Sequence, residues 1–369
     1  MSVTFEQQPS GSMGALSPII YQVYDSANYT KTGFYYLFDV YVWNGAASFP
    51  ANPNYSITKY PDQYANNRAW IDIHKLVNQA LTEDFLEVGT YKPNVTGGAC
   101  YFGVKCKGVW ATGSGSFTSS NIKLATNGWT YTQDGFNATI AADIYTEKST
   151  FYITTDTPSY YVWYNASVIT SISIGATSIT PVAVTSSGNA IQGVDIIQLL
   201  QAAGISTNTT ITFTYASGTY TFPIKFQCEN KYGSVTIHYL NRFGVYETMV
   251  FNALSRRNFN YTRESYERPI FRQQDMSLAW DYGVHQTQNF LTNATTTLIV
   301  NTDYIPEAYN AQIQEIFASD NLLIDDGGDA YSARITDTAF NRLTRINDKL
   351  IQYTLTIEYN HPLINKLVR

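Results

Sequence analysis

Hydrophobic and polar positions alternate along most of the chain. Phe34 to Trp43 reads FYYLFDVYVW. Comparable aromatic and β-branched runs follow at Tyr101 to Trp110, Phe151 to Thr155, Tyr160 to Tyr164, Ile169 to Ile174, Thr210 to Tyr215, Tyr220 to Phe226, Ser234 to Tyr239 and Tyr246 to Phe251. A strand turns successive side chains to opposite faces, so such runs fit strands with one face in a core. Clusters of Gly, Ser, Asn and Pro separate them. Many short strands punctuated by turns predict a mainly β protein built from sandwiches.

Helical spacing is rare. Ile73 to Leu81 (IHKLVNQAL) and Ile196 to Ala203 (IIQLLQAA) each predict a short helix. Pro306 to Ser319 predicts a longer one. It has Pro near its start, Glu307 in its first turn, and Ala308, Ala311, Ile313, Ile316 and Phe317 at near-helical spacing.

Two of these helices share a motif. Asp72 to Ala80 reads DIHKLVNQA and Asp195 to Ala203 reads DIIQLLQAA, so D-I-x-x-L-[VL]-x-x-A occurs twice, 123 residues apart. Each copy follows strands. Each precedes a polar stretch and then an aromatic strand with a cysteine, Cys106 or Cys228. The echo predicts two tandem immunoglobulin- or fibronectin-like β-sandwich units, 1–150 and 151–231. Ala111 to Asn137 is rich in Gly, Ser, Thr and Asn but holds Phe117, Ile122, Leu124, Trp129 and Phe136. It predicts a hairpin insertion that extends the first sandwich or packs on a neighbour.

The texture changes after Cys228. Ala253 to Gln274 carries Arg256, Arg257, Arg263, Arg268 and Arg272 against Glu264 and Glu267, a local charge of +3. Phe259, Tyr261, Tyr266 and Phe271 lie between those charges. This reads as an extended arm. A strand at Thr295 to Val300, the Pro306 helix, and strands at Asn321 to Ile324, Tyr331 to Thr336 and Leu350 to Tyr359 follow. Residues 232–369 therefore predict a third, α+β unit with one helix.

Composition narrows the function. The chain has 369 residues, of which 15% are aromatic and only 14% charged, against about 25% charged in an average soluble protein. That balance is the reverse of a disordered chain. A net charge of -6 gives no global basic field for a nucleic-acid backbone. No apolar run is long enough to span a membrane, and the start MSVTFEQQPSGSMG lacks the basic and apolar segments of a secretory signal. Seven N-x-[ST] sequons, at Asn28, Asn94, Asn137, Asn165, Asn208, Asn260 and Asn293, are read as unglycosylated in that context.

Chemistry finds few footholds. Cys100, Cys106 and Cys228 make no disulfide framework. Cys100 and Cys106 would lie about 20 Å apart on one strand, beyond bridging distance, and are expected as buried free thiols. His74, His238, His285 and His361 are isolated and form no zinc pattern. No nucleophile elbow or phosphate loop occurs, and Gly113-Ser114-Gly115 reads as a turn. Asp325-Asp326-Gly327-Gly328-Asp329 lacks the ligand spacing of a calcium loop and fits a tight hairpin. Glu83 with Asp84, and Glu264 with Glu267, are carboxylate pairs without a distinguishing context. No catalytic residue, metal or cofactor is expected, so the chain is read as not an enzyme. The arm leaves three readings open: a subunit contact through forked guanidinium groups, a solvated loop, or a grip on nucleic acid. For the first, the acidic loop Asp325 to Asp329 of a neighbouring copy is a candidate partner.

The run CENKYGSVTIHYLNRFGVYETMVF carries a resemblance. Cys228, a short spacer, a strand ending at Leu240, then Asn241, Gly244, and an aromatic strand from Tyr246 to Phe251 resemble a recurring segment in structural tail proteins of tailed phages infecting Bacteroidetes, crAss-like phages included. The Arg/Tyr/Glu-rich stretch Arg256 to Arg268 matches as well. So do Tyr304 to Ser319, Leu322 to Ile324, Leu350 to Tyr359 and Ser17 to Trp43. The Ala111 to Asn137 tract has no counterpart in that pattern.

The resemblance implies a virion protein made in the host bacterial cytoplasm: a distal-tail or tail-hub subunit whose last unit is a tail-tube-like ring domain. It implies a homo-oligomeric ring, hexameric or twelve-fold, that joins other tail proteins. No membrane anchor is expected, and a contact with exiting DNA stays open, as one that would not be sequence-specific. Arg256, Arg257, Arg263, Arg268, Arg272, Tyr261 and Tyr266 are then the expected subunit contact, and Thr295 to Val300 with Leu350 to Tyr359 the expected ring-forming strands. Tyrosine suits such contacts because it offers large area at little rotamer cost. Two alternatives stand beside this. One is a receptor- or glycan-binding adhesin that stacks sugars on Trp110, Trp129, Trp163 and Tyr160; the other is a capsid decoration protein.

Overall fold

The computed structural model describes residues 3–81, 94–95, 98–140, 142–154, 157–227, 232–274, 276–326, 329–344 and 349–363. Glu83, Asp84, Cys228, Gly327 and Gly328, singled out in the sequence, lie outside the described residues, as do the side chains of Asn94, Arg272 and Asp326. The fold is mainly β with short helices at His74–Asn78, Ile196–Ala203 and Asn310–Ala318. Contacts divide the chain into two compact units. Unit one comprises Met1–Glu229, His238–Val250 and Ala311–Ser319; unit two comprises Asn230–Ile237, Phe251–Asn310 and Asp320–Arg369.

Unit one contains the expected repeat. In its first copy, Thr4–Gln7, Ile20–Tyr24 and Ala69–Asp72 form one antiparallel sheet. Tyr55–Lys59, Tyr35–Trp43, Ala99–Trp110 and Lys123–Thr126 follow one another in a second. In the second copy, Tyr161–Asn165 pairs with Ile191–Asp195. The facing sheet runs Thr177–Ile179, Ile169–Ile174, Thr209–Tyr215, Gly218–Phe226 and Phe151–Ile153. Apart from Thr4–Gln7 and Phe151–Ile153, these strands of both copies give the same pairings in the same chain order.

The Asp-Ile motif explains why. Asp72 ends one strand opposite Ile20, and Asp195 ends the other opposite Tyr161. Asp72 Oδ1 accepts from the backbone N–H of Ile19 and of His74, both at 3.1 Å. Asp195 Oδ1 accepts from Tyr160 at 3.0 Å and from Ile197 at 2.9 Å. The next residue then donates back, Ile73 to the Ile19 carbonyl at 3.0 Å and Ile196 to the Tyr160 carbonyl at 2.8 Å. Asp195 therefore caps its helix and clamps the start of the neighbouring strand; Asp72 clamps its strand alike and accepts from the first N–H of the helix, with Ile73 in the cap position. The second helix stops at Gly204, where φ is +67° and the left-handed turn suits a residue without Cβ.

Each copy has its own core between its sheets. Tyr21 and Val23 meet Tyr36, Phe38, Val40, Phe102 and Val104 in the first. Val162, Tyr164 and Val194 meet Ile172, Ile174, Ile211, Phe213 and Ile224 in the second. The alternation read from the sequence is the alternation of these inward positions. The 111–137 tract folds back on the first sandwich, as expected. Gly113–Ser114, Thr118–Ser119 and Lys123–Thr126 all pair with Ala99–Trp110. The chain then threads Gly128 against Gly244, so that a Cβ on Gly244 would lie 2.4 Å from the Gly128 nitrogen.

Unit two holds an antiparallel ladder in the order Leu322–Asp326, Asp329–Ile335, Thr354–Tyr359, Thr287–Asn301 and Arg256–Glu267. Leu298, Val300, Leu322, Ile324, Ala333, Leu355 and Ile357 are buried in it. The acidic loop is the hairpin between its first two strands, which pair as far as Asp326 opposite Asp329.

Candidate subunit interface

The arm is a strand. Arg256–Glu267 pairs through all twelve residues with Thr287–Asn301, and every residue of it is exposed. Beyond it, Phe271–Gln274 and Ser277–Trp280 form a second short hairpin. Alternation puts Arg257, Tyr261 and Arg263 on one face, and Arg256 and Tyr266 on the other. It also puts Glu264 and Glu267 on opposite faces, so that carboxylate pair cannot act on one bond.

The strand's long side chains are held loosely. Arg257 Nη2 donates to Tyr359 Oη at 3.2 Å and lies over that ring, its Cζ 5.7 Å from the centroid. Arg263 stacks over Tyr261 at 5.8 Å. Tyr266 Oη donates to Gln288 Oε1 at 2.6 Å, and Arg268 Nε donates to the His285 carbonyl at 3.2 Å. Arg256 is exposed, and Arg272 is placed only by its backbone in the second hairpin. The structure therefore gathers the seven predicted contact residues onto one continuous pair of hairpins in unit two.

Sequence reading missed the apolar half of this surface. Met276, Leu278, Trp280, Tyr282 and Phe290 are all exposed here. The Phe271 and Trp280 rings face each other across the second hairpin at 4.7 Å. The segment from Asp275 to Tyr304 reads as polar alternation, and the strand Thr295 to Val300 was the signal read from it.

The expected ring strands lie elsewhere in the ladder. Thr287–Asn301 is flanked by Arg256–Glu267 and Thr354–Tyr359, and Thr354–Tyr359 by Asp329–Ile335 and Thr287–Asn301. Among the described residues Thr287–Asn301 has a strand on both sides only from Thr297 to Ile299, so the arm forms one edge of the outer ribbon and the first part of the return strand the other. Asp325 is buried, leaving Asp329 as the exposed acid of the loop whose side chain is described.

Two other expectations are corrected. Tyr160 and Trp163 are buried at 2% exposure and offer no sugar platform. The Trp163 indole N–H donates to the Tyr246 carbonyl. Tyrosine is also not mainly an outward-facing residue. Twelve tyrosines are buried and eight are exposed among the described residues, because large rings fill the sandwich cores. The exposed ones include Tyr261, Tyr266 and Tyr282 of the arm.

The remaining titratable clusters are internal. Cys100 and Cys106 are buried and free, and burial pushes the Cys100 thiol up to about 12. His238 is fully buried, its Nδ1 2.9 Å from Thr248 Oγ1. In unit one a buried charged network joins Lys148 to Glu247 at 3.1 Å and Arg242 to Glu147, with Arg242 Nε 3.7 Å from Glu315. Burial draws Lys148 below its ordinary range, with Glu247 opposing that shift. Burial, then Glu247 and Glu147, push Glu315 up to about 8. Burial likewise pushes Asp195 up to about 7 against the pull of backbone N–H groups. No cluster of three metal-ligating side chains occurs among the described residues, and no helix among them is long and apolar enough to cross a membrane.

No protein-family model and no curated protein matches the sequence. Among solved structures, the chain is similar to extracellular domains 3–5 of Drosophila OTK, at 7% identity over 81% of this chain and 92% of that one. The TM-score is 0.22, and at that value the likeness carries no argument.

Proposed function

We propose that this chain is a structural subunit of a phage tail, a ring or hub component that joins its neighbours through the arm. The observation that carries the reading is the fully exposed strand Arg256–Glu267, whose guanidinium groups and aromatic rings interleave at the edge of a sheet. Forked guanidinium donors and large flat rings are the side chains that most often anchor protein interfaces. The resemblance of 228–251 and of the stretch from Arg256 to Arg268 to phage tail proteins supports the same reading. The tail-tube-like character of the last unit, the ring, the virion location and assembly in a bacterial host belong to this proposal.

Light scattering on the purified full chain tests it. The expected result is a species of several subunits that falls toward monomer when Arg256, Arg263 and Tyr261 are changed together to Ala. A wild-type chain that stays monomeric up to high micromolar concentration overturns the reading.

A further inference from the structure

Arg256–Glu267 ends the order of the ladder in unit two, so its outer backbone groups face away from its neighbour. Long exposed edge strands are pairing templates unless they are blunted by charged side chains, lysine above all, by proline or by bulges. This one has neither proline nor lysine, and its five charges, three Arg and two Glu, are of both signs and so can complement a reversed copy. Its single irregularity places the extra residue, Phe290, on the return strand. Thr354–Tyr359 pairs with the return strand only from Thr297 to Asn301. The outer ribbon, Thr262–Glu267 with Thr287–Asn293, is therefore two-stranded among the described residues. Two-stranded ribbons are marginal in water, and a third strand stabilises them.

We propose that the arm strand pairs edge to edge, antiparallel and about a two-fold axis, with the same strand of a second copy of this chain. The charge order along the strand favours its own reversal, with Arg256 and Arg257 at one end and Glu264 and Glu267 at the other. Directly opposed residues in an antiparallel pair must present their backbone groups alike. In a two-fold pairing each residue therefore meets one an even number of positions away, and one residue sits on the axis. With Asn260 on the axis, Arg257 faces Arg263 and repels it. With Tyr261 on the axis, no arginine faces an acid. With Thr262 on the axis, Arg257 faces Glu267 and Tyr261 faces Arg263, each twice by symmetry, over the run 257–267; Arg256 comes opposite Arg268, which lies just beyond the strand. Opposite charges and cation–π pairs at directly opposed positions stabilise a sheet. The contact makes the two ribbons one four-stranded sheet. It is isologous, so it joins copies in pairs, and a ring needs a second, different contact elsewhere on the chain. It rests on the arm being a subunit contact and specifies the geometry of that contact.

The test is a cysteine on the axis in the full chain. Opposed Cα atoms in an antiparallel pair lie about 4.5–5.5 Å apart, within disulfide reach. Under oxidising conditions Thr262→Cys is expected to give a covalent dimer well above the wild-type background, and exposed Thr295→Cys on the return strand is expected to give none. Arg257→Glu and Glu267→Arg are each expected to weaken association at least tenfold, and the double variant to restore it. Circular dichroism of each variant confirms that it is folded. Association that persists with no Thr262→Cys dimer, or a double variant that rescues nothing, overturns this pairing and leaves the subunit reading standing. A monomeric wild-type chain overturns both.

Discussion

Asp195 is the most informative residue to change in unit one. It is fully buried, and its Oδ1 accepts from the Tyr160 and Ile197 amides at 3.0 and 2.9 Å. Asp195→Ala removes a helix cap, about 1 kcal/mol, and strands a buried strand N–H, about 1–3 kcal/mol. The expected loss is about 2–4 kcal/mol, or roughly 30- to 1,000-fold in local exchange protection at 1.36 kcal/mol per tenfold. Asp195→Asn keeps the acceptor and removes the charge. The folded carboxyl titrates at about 7 against an ordinary 3.8, so between those values the folded state holds the extra proton. Wild-type stability therefore falls as pH rises through that window. The Asn variant lacks that fall. Its protection relative to wild type is expected to climb by up to about tenfold per pH unit from 5 to 7. Hydrogen exchange on peptides spanning 158–165 and 191–203 reads both effects at matched pH. A ratio that stays flat from pH 5 to 8 would refute the burial argument. A harmless Asp195→Ala would refute the clamp.

Asp72→Ala should cost less, about 1 kcal/mol, because its side chain is 25% exposed and water can replace it; exchange at His74 reads this. Gly244→Ala should cost more than about 2 kcal/mol, since φ is +78° and the new Cβ meets the Gly128 backbone; a fall in the first thermal midpoint checks it. Glu315→Gln should flatten the loss of stability between pH 4.5 and about 8, the window in which the folded carboxyl keeps its proton; urea midpoints across that range would show it. Lys148→Met should cost about 3–5 kcal/mol by leaving Glu247 uncompensated, and adding Glu247→Leu should recover most of it, measured by the same urea midpoints.

The repeat was legible because a few residues do one local job twice. An Asp that clamps a strand and accepts from the start of a helix needs a fixed spacing, and D-I-x-x-L records it. The arm's charge and aromatics were legible for the same reason, since they lie in one contiguous stretch. Its ladder was not. Only Thr295 to Val300 of the return strand, with buried Leu298 and Val300, was legible; the part before it is rich in Thr and Asn, and its buried Ala294 is too small to stand out. The Lys148–Glu247 pair was hidden because a lone charge in sequence reads as solvated, whereas its partner lies 99 residues away. Trp163 and Tyr160 were misjudged because an amphipathic ring has the same pattern at a surface as in a core; only packing separates the two.

The division of the chain carries a mechanical consequence. Unit one is assembled from three separate stretches, so the backbone passes from one unit to the other five times, after residues 229, 237, 250, 310 and 319. Tandem domains on a single linker act as beads on a string, and a pull on one end straightens that linker. Here the backbone crosses five times, so no single cut of the chain separates the units. Unit one depends on what its later stretches supply: the Tyr246 carbonyl accepts the Trp163 indole N–H, and Ala311–Ser319 belongs to the same unit. A truncation near residue 231 would remove that same Tyr246 carbonyl and the partner of Lys148, leaving a torn core where a self-contained fragment was intended.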